Sequence, residues 1–199
     1  LCRALSICTN FLEISLAQTV LAEIKQRLAI GPLLWFQEAE YAHLTRHWRQ
    51  QEQATRRVLE AAPALLEAAW LLASALREQQ DFKGCMATCQ AILSADPFWA
   101  SAYAELGTCY QDQHQHELAV ANYRQAIRFN AEFHPFLSWL SISLQAIGQH
   151  EEAEALCLEA YQSEEATWID HHNYAMLLFN KRNIAEAKAV LRKALKVYP

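Results

Sequence analysis

The chain has 199 residues, only 4 glycines and 5 prolines, 53% hydrophobic residues and a formal net charge of −5. So few turn formers exclude a β-sandwich or barrel, and an acidic chain without a basic stripe excludes nucleic acid as the main partner. Ala, Leu, Glu and Gln dominate, all good helix formers, so the chain reads as all-α.

Residues 1–31 begin with Leu1 rather than methionine, so an excised or processed piece of a longer chain is expected. Leu12, Leu16, Val20, Leu21, Ile24 and Leu28 recur at helical spacing and stop at Gly31-Pro32. This is an N-terminal helical segment, read either as half of a degenerate repeat or as a cap. Glu13, Glu23 and Lys25 interrupt its apolar runs, so neither a signal peptide nor membrane insertion is expected. Residues 32–65 form a degenerate unit with Trp35, Ala39 and Pro63 in phase with the later units. Gln51 and Thr55 stand there where a small and an aromatic residue are expected.

From residue 66 a 34-residue period is plain, and a period of this size means a solenoid or array. Residues 66–99 carry Ala69, Leu72, Ala73, Leu76, Cys85, Cys89 and Ile92. Residues 100–133 repeat the set as Tyr103, Leu106, Gly107, Tyr110, Ala119, Tyr123 and Ala126. It returns over 134–167 as Leu137, Leu140, Ser141, Leu144, Ala153, Cys157 and Ala160. Over 168–199 it is His171, Tyr174, Ala175, Leu178, Ala187, Leu191 and Ala194. Pro63, Pro97 and Pro199 keep the same phase, and each ends one helical hairpin. The small residues Ala73, Gly107, Ser141 and Ala175 let the second helix of each hairpin approach the first. The chain stops where a further unit would begin, and solenoid ends normally carry a polar cap. More protein is therefore expected after Pro199, with stacking of that uncapped end on a partner, or self-association through it with a second copy, as the other outcome.

The pattern W/Y-x2-L-G-x2-Y…A-x3-F/Y…A…P resembles the tetratricopeptide repeat (TPR), most clearly over Tyr103 to Ala126. The resemblance implies a right-handed superhelical solenoid of antiparallel helix hairpins. It further implies that first helices line a concave groove in which a partner peptide or protein lies. The first-helix residues not used in packing are then the contact set: Trp70, Ser74, Arg77, Thr108, Gln111, Asp112, Ile142, Gln145, His172, Asn173, Met176, Phe179 and Asn180. Co-chaperone members of the family grip acidic tails through Lys and Asn in the groove. The matching positions here hold Trp70, Ala104, Ser138 and His172, then Ser74, Thr108, Ile142 and Met176, so that clamp is absent. The last unit offers an apolar strip, Met176 and Phe179, edged by Asn173 and Asn180, which suits a segment with apolar anchors.

Chemistry is not expected within this stretch. Cys85 and Cys89 occupy packing positions, Cys157 repeats the place of Cys89, and no C-x2-C spacing exists for zinc. Unpaired thiols suit a reducing compartment, hence the cytoplasm. The histidines form no metal set, and there is no nucleophile elbow or phosphate loop. No catalytic, cofactor or metal site is therefore predicted. Residues 134–167 hold six acids and no Lys or Arg, whereas 168–199 hold six bases against two acids. The simplest consequence is weak pairing of solvated faces across the junction. Two functions remain: a protein-interaction scaffold or adaptor, and the recruiting arm of a larger enzyme such as a glycosyltransferase.

Overall fold

The computed structural model describes residues 31–130, 135–164 and 166–197. The N-terminal helical segment expected over 1–31 lies outside the described residues, apart from Gly31, as does the stop at Pro199. Among the described residues there are ten α-helices and no strand. They are α1 (Pro32–Leu44), α2 (Trp48–Ala61), α3 (Leu66–Glu78), α4 (Phe82–Ala95) and α5 (Ala100–Asp112). Then come α6 (His116–Phe129), α7 (Pro135–Ala146), α8 (His150–Gln162), α9 (Trp168–Asn180) and α10 (Ile184–Val197). The chain divides between Pro97 and Phe98 into two compact units.

Each odd-numbered helix packs on the even-numbered helix that follows it. The turn inside every hairpin has the same construction. Arg46 and Gln80 in the first unit, and His114, Gly148 and Arg182 in the second, all have positive φ, and they fall 34 residues apart. The residue after each donates its N–H back to the carbonyl five places earlier: His47 to Ala42, Asp81 to Leu76, Gln115 to Tyr110, Gln149 to Leu144, Asn183 to Leu178. This is the Schellman end of a helix, which satisfies carbonyls that would otherwise lack donors. Glycine is the usual residue at its left-handed position, yet only Gly148 supplies one; the other four accept the steric cost of a Cβ there.

In the first unit, α1, α2 and α3 meet at Ala39, Ala54 and Leu71, with Phe36 and Trp70 packed against them. Here the sequence is least regular, and the structure shows how it still packs. Gln51 and Thr55 are both fully buried. Gln51 Nε2 donates to the Leu71 carbonyl at 2.7 Å and approaches His43 Nδ1 at 3.2 Å. Thr55 Oγ1 donates to the Gln51 carbonyl at 2.8 Å. The missing apolar residues are thus replaced by polar ones whose donors find partners, while the buried Gln51 Oε1 has none. Asp81 caps α4 by accepting from the Gly84 N–H at 3.0 Å.

In the second unit the core runs between hairpins as well as within them. Ala119, Val120 and Tyr123 of α6, Leu140 and Leu144 of α7 and Ala153 of α8 form one buried cluster. Gly107 is essential to it: a Cβ there would lie 2.6 Å from Tyr123 Cδ1. Glycine and tyrosine together fill the space that Ser141 and Cys157 fill one repeat later. The Tyr123 hydroxyl donates to Gln111 Oε1 at 3.0 Å or Thr108 Oγ1 at 3.2 Å, so its polar end is not stranded. A second cluster joins Ala175 and Leu178 to Ala187 and Val190, with Tyr161 and Tyr174 beside it. At the start of α9, Asp170 is buried and accepts from Thr167 N–H, Thr167 Oγ1 and, at 2.5 Å, Ser138 Oγ of α7. The charge asymmetry of the two last repeats appears as Lys181 bound to Glu154 at 2.5 Å, both exposed.

Candidate functional site

In the second unit the first helices lie side by side, α5 against α7 and α7 against α9. Residues 34 apart therefore form rows across them. One row is Thr108, Ile142 and Met176; the next is Gln111, Gln145 and Phe179; Asp112 and Asn180 sit at the outer edge. Nine of the thirteen sequence-predicted contact residues fall in or next to these rows, counting Asn173, which precedes Met176 on α9.

The rows change character along the unit. On α5, Thr108 donates to the Ala104 carbonyl at 3.0 Å, and Gln111 Oε1 receives both Tyr123 and, at 3.0 Å, Ser143 Oγ of α7. These two side chains are half-buried and tied to the core, which leaves the Gln111 amide as the outward polar group. Ile142 is half-buried on α7. On α9, Met176 is 47% and Phe179 56% exposed. Apolar surface thus opens from α5 towards α9. Exposed large apolar groups gathered on one helix face mark an interaction site more often than scattered ones do. Gln145 and Asn180 also line an open cavity of about 400 Å³ with His150, Glu154, Leu177 and Lys181.

The remaining candidates are placed differently. His172 is exposed on α9, one turn before Met176. Trp70, Ser74 and Arg77 belong to the first unit. Ser74 is buried, so its hydroxyl is not offered to a partner. Trp70 is half-buried against Leu71 and Ala39, 5.7 Å from the His43 ring, and is largely used in packing. Arg77 pairs with Glu78 at 2.7 Å. Burial lowers the pKa of His43, whose Nδ1 faces the Gln51 amide, while Glu78 opposes and Arg77 reinforces the shift.

Sequence reasoning missed Trp168, Leu191 and Leu195, which are exposed at the last hairpin. Leu191 and Leu195 sit at positions that pack in earlier repeats, so their exposure follows from what neighbours them, not from their spacing. Cys85, Cys89, Cys109 and Cys157 are fully buried and form no disulfide with one another, and burial pushes the Cys157 thiol up to about 11. A thiol held so far above its ordinary range is a packing group rather than a nucleophile. No group of metal-binding side chains exists among the described residues. No described helix is long and apolar enough to cross a membrane.

Stacked helical hairpins with a shared turn and an open first-helix face define an all-α repeat protein. The family model of the tetratricopeptide repeat matches residues 100–133 and 171–199, so the chain carries tetratricopeptide repeats. No curated protein sequence matches it. Among solved structures it is similar to TTC0263, a thermophilic TPR protein in Thermus thermophilus. That likeness has 18% identity, covers 85% of this chain and 92% of the other, and reaches a TM-score of 0.76. It is also similar to MamA (residues 41 to the end) from Desulfovibrio magneticus RS-1, at 16% identity over 74% and 92% of the chains with a TM-score of 0.59. The third is an O-GlcNAc transferase mutant from Thermobaculum terrenum, at 22% identity, with a TM-score of 0.61. It covers 66% of this chain but only 26% of the transferase. At these identities the likeness concerns the fold.

Proposed function

We propose that the protein is a protein-interaction scaffold, and that the first-helix rows of the second unit hold a partner segment. The observation that carries this reading is the exposure of Met176 and Phe179 beside the half-buried Ile142 of the adjacent helix. Methionine adapts its shape to its contact, the phenylalanine ring supplies area at little entropic cost, and the nearby amides of Gln145 and Asn180 suit a peptide backbone. The partner is a protein or peptide segment with apolar anchors. Buried thiols outside disulfides suit a reducing compartment, so the cytoplasm is our reading of where this happens. The work is binding, not chemistry.

The test is capture of partners from the source lysate by the wild-type protein and by a Met176→Ala/Phe179→Ala variant, with the fold checked by circular dichroism. Both side chains are about half exposed, so the variant folds. A partner held by the wild type and lost by the variant supports the reading. Equal recovery contradicts it.

A further inference from the structure

The second unit keeps its charges away from the face that its first helices share. The whole of α7 contains no Asp, Glu, Lys, Arg or His. On α5, Glu105 is buried. On α9, Asp170 and His171 are buried, and Asp170 accepts from Thr167 and Ser138. Asp112, the last residue of α5, and His172, near the start of α9, are the exposed chargeable groups that remain on these helices. The second helices are the reverse, with Arg124, Glu152, Glu154, Lys188 and Arg192 spread over α6, α8 and α10. Where Gln145 and Asn180 line a cavity, Lys181 and Glu154 bind each other, so their charges cancel.

The centre of this face is α7, which has α5 on one side and α9 on the other. With both neighbours in place, Ile142 and Gln145 are still only half-buried. The polar groups beside them are neutral, and some are already engaged. The Thr108 hydroxyl donates to the Ala104 carbonyl, and Gln111 Oε1 receives the Tyr123 and Ser143 hydroxyls. What is left for a partner is the Gln111 N–H donors, the Gln145 amide and the Ile142 side chain. Amides suit a peptide group. They do not supply the counter-charge that a desolvated carboxylate, ammonium or guanidinium needs.

We propose that the first-helix face of the second unit selects an uncharged stretch of a partner protein, set with an apolar side chain against Ile142. Stretches that bring Asp, Glu, Lys or Arg to that place are refused. The proposal rests on the binding surface proposed above and names the chemistry of what it takes. Specificity here comes from the cost of the wrong segment as much as from contacts to the right one. Salt has little to screen on such a surface, so affinity is nearly independent of ionic strength.

The probe is a displayed library of random peptides of about 12 residues, which when extended reach across all three first helices. Selections are run on wild type, Ile142→Ala and Ile142→Glu, each checked by circular dichroism. Wild type is expected to enrich peptides that are uncharged at the positions needed for binding, with a Kd that moves less than about twofold between low and high salt. Ile142→Ala should weaken them about tenfold without bringing in charge, and Ile142→Glu should weaken them about a hundredfold and enrich Lys and Arg instead. Ile142→Ala, which adds no charge, keeps the comparison available if Ile142→Glu does not fold. Charged peptides enriched by wild type, or a salt effect of about tenfold or more, overturn this inference and leave the binding surface standing. No enriched peptide, or peptides that ignore both substitutions, remove the surface and both readings with it.

Discussion

Hairpins α5–α6 and α9–α10 lie in the same unit, and both match the same repeat model, yet they bury their equivalent residues differently. Tyr123 is enclosed by Gly107 on one side and by α7 on the other, whereas Leu191 has its own hairpin and little else. The difference teaches that a position in this fold has no fixed burial. Half of its surroundings come from the next repeat, as expected where stability is a sum of units and nearest-neighbour interfaces. Where no next first helix packs among the described residues, a packing position is exposed.

The largest expected effect sharpens this contrast. Tyr123→Ala removes a fully buried ring and its hydroxyl bonds, and should cost about 3–5 kcal/mol. Leu191→Ala should cost only about 1 kcal/mol, because much of that side chain already meets water. Urea unfolding of the two variants gives both numbers. Similar losses would mean that the α10 face is covered in solution.

Next in size is Gly107→Ala. The new methyl meets the Tyr123 ring at 2.6 Å, so about 1–3 kcal/mol should be lost. The last hairpin carries alanine and leucine at these two places. Tyr123→Leu should therefore recover part of the loss when added to Gly107→Ala, giving a favourable coupling in a double-mutant cycle. Simple additivity would show that glycine and tyrosine do not act as a pair.

A smaller effect separates the polar-cored hairpin α1–α2 from the apolar one at α5–α6. Burial holds the pKa of His43 below its ordinary value of about 6.5, so the folded chain binds fewer protons there than the unfolded chain. The stability tied to its neutral form is complete above pH 6.5 or so and is lost as pH falls through the folded value. His43→Gln should flatten that part of the profile of melting temperature against pH. An unchanged slope between about pH 7 and 5 would remove His43 as its source.

The smallest effect lies in the turns. His114→Gly relieves a Cβ at φ 59° and should stabilise the chain by up to about 1 kcal/mol, less the extra entropy of glycine in the unfolded state. Gly148→Ala, at φ 81° and with open space around it, should destabilise by a similar amount. Thermal melts read both signs.

The hairpins were legible because the repeat writes its packing residues at fixed places. Gly107, Ala119 and Tyr123 named a close helix contact before any coordinates did, and the structure puts them in one buried cluster. The turns were less legible. Arg46, Gln80, His114 and Arg182 look unlike glycine, so a shared left-handed residue shows only in the backbone. Polar packing was also hidden, since Gln51 and Thr55 read as departures until their partners were seen. For the site, spacing picked out first-helix residues but not their neighbours. It placed Ser74 among surface residues although the fold buries it, and it counted Leu191 among the packing positions although it is exposed. Spacing reports a side chain's own helix face; exposure depends on a second helix.

One measurement tests the scaffold reading most directly. Leu118 on α6 is 46% exposed, much like Phe179, but it lies on a second helix away from the first-helix rows. A photo-crosslinking phenylalanine analogue is placed at each position in turn, and the protein is irradiated in its source lysate. Discrete adducts from position 179 and none from 118 are the predicted result. Equal labelling from both positions would contradict a binding surface on the first helices of the second unit.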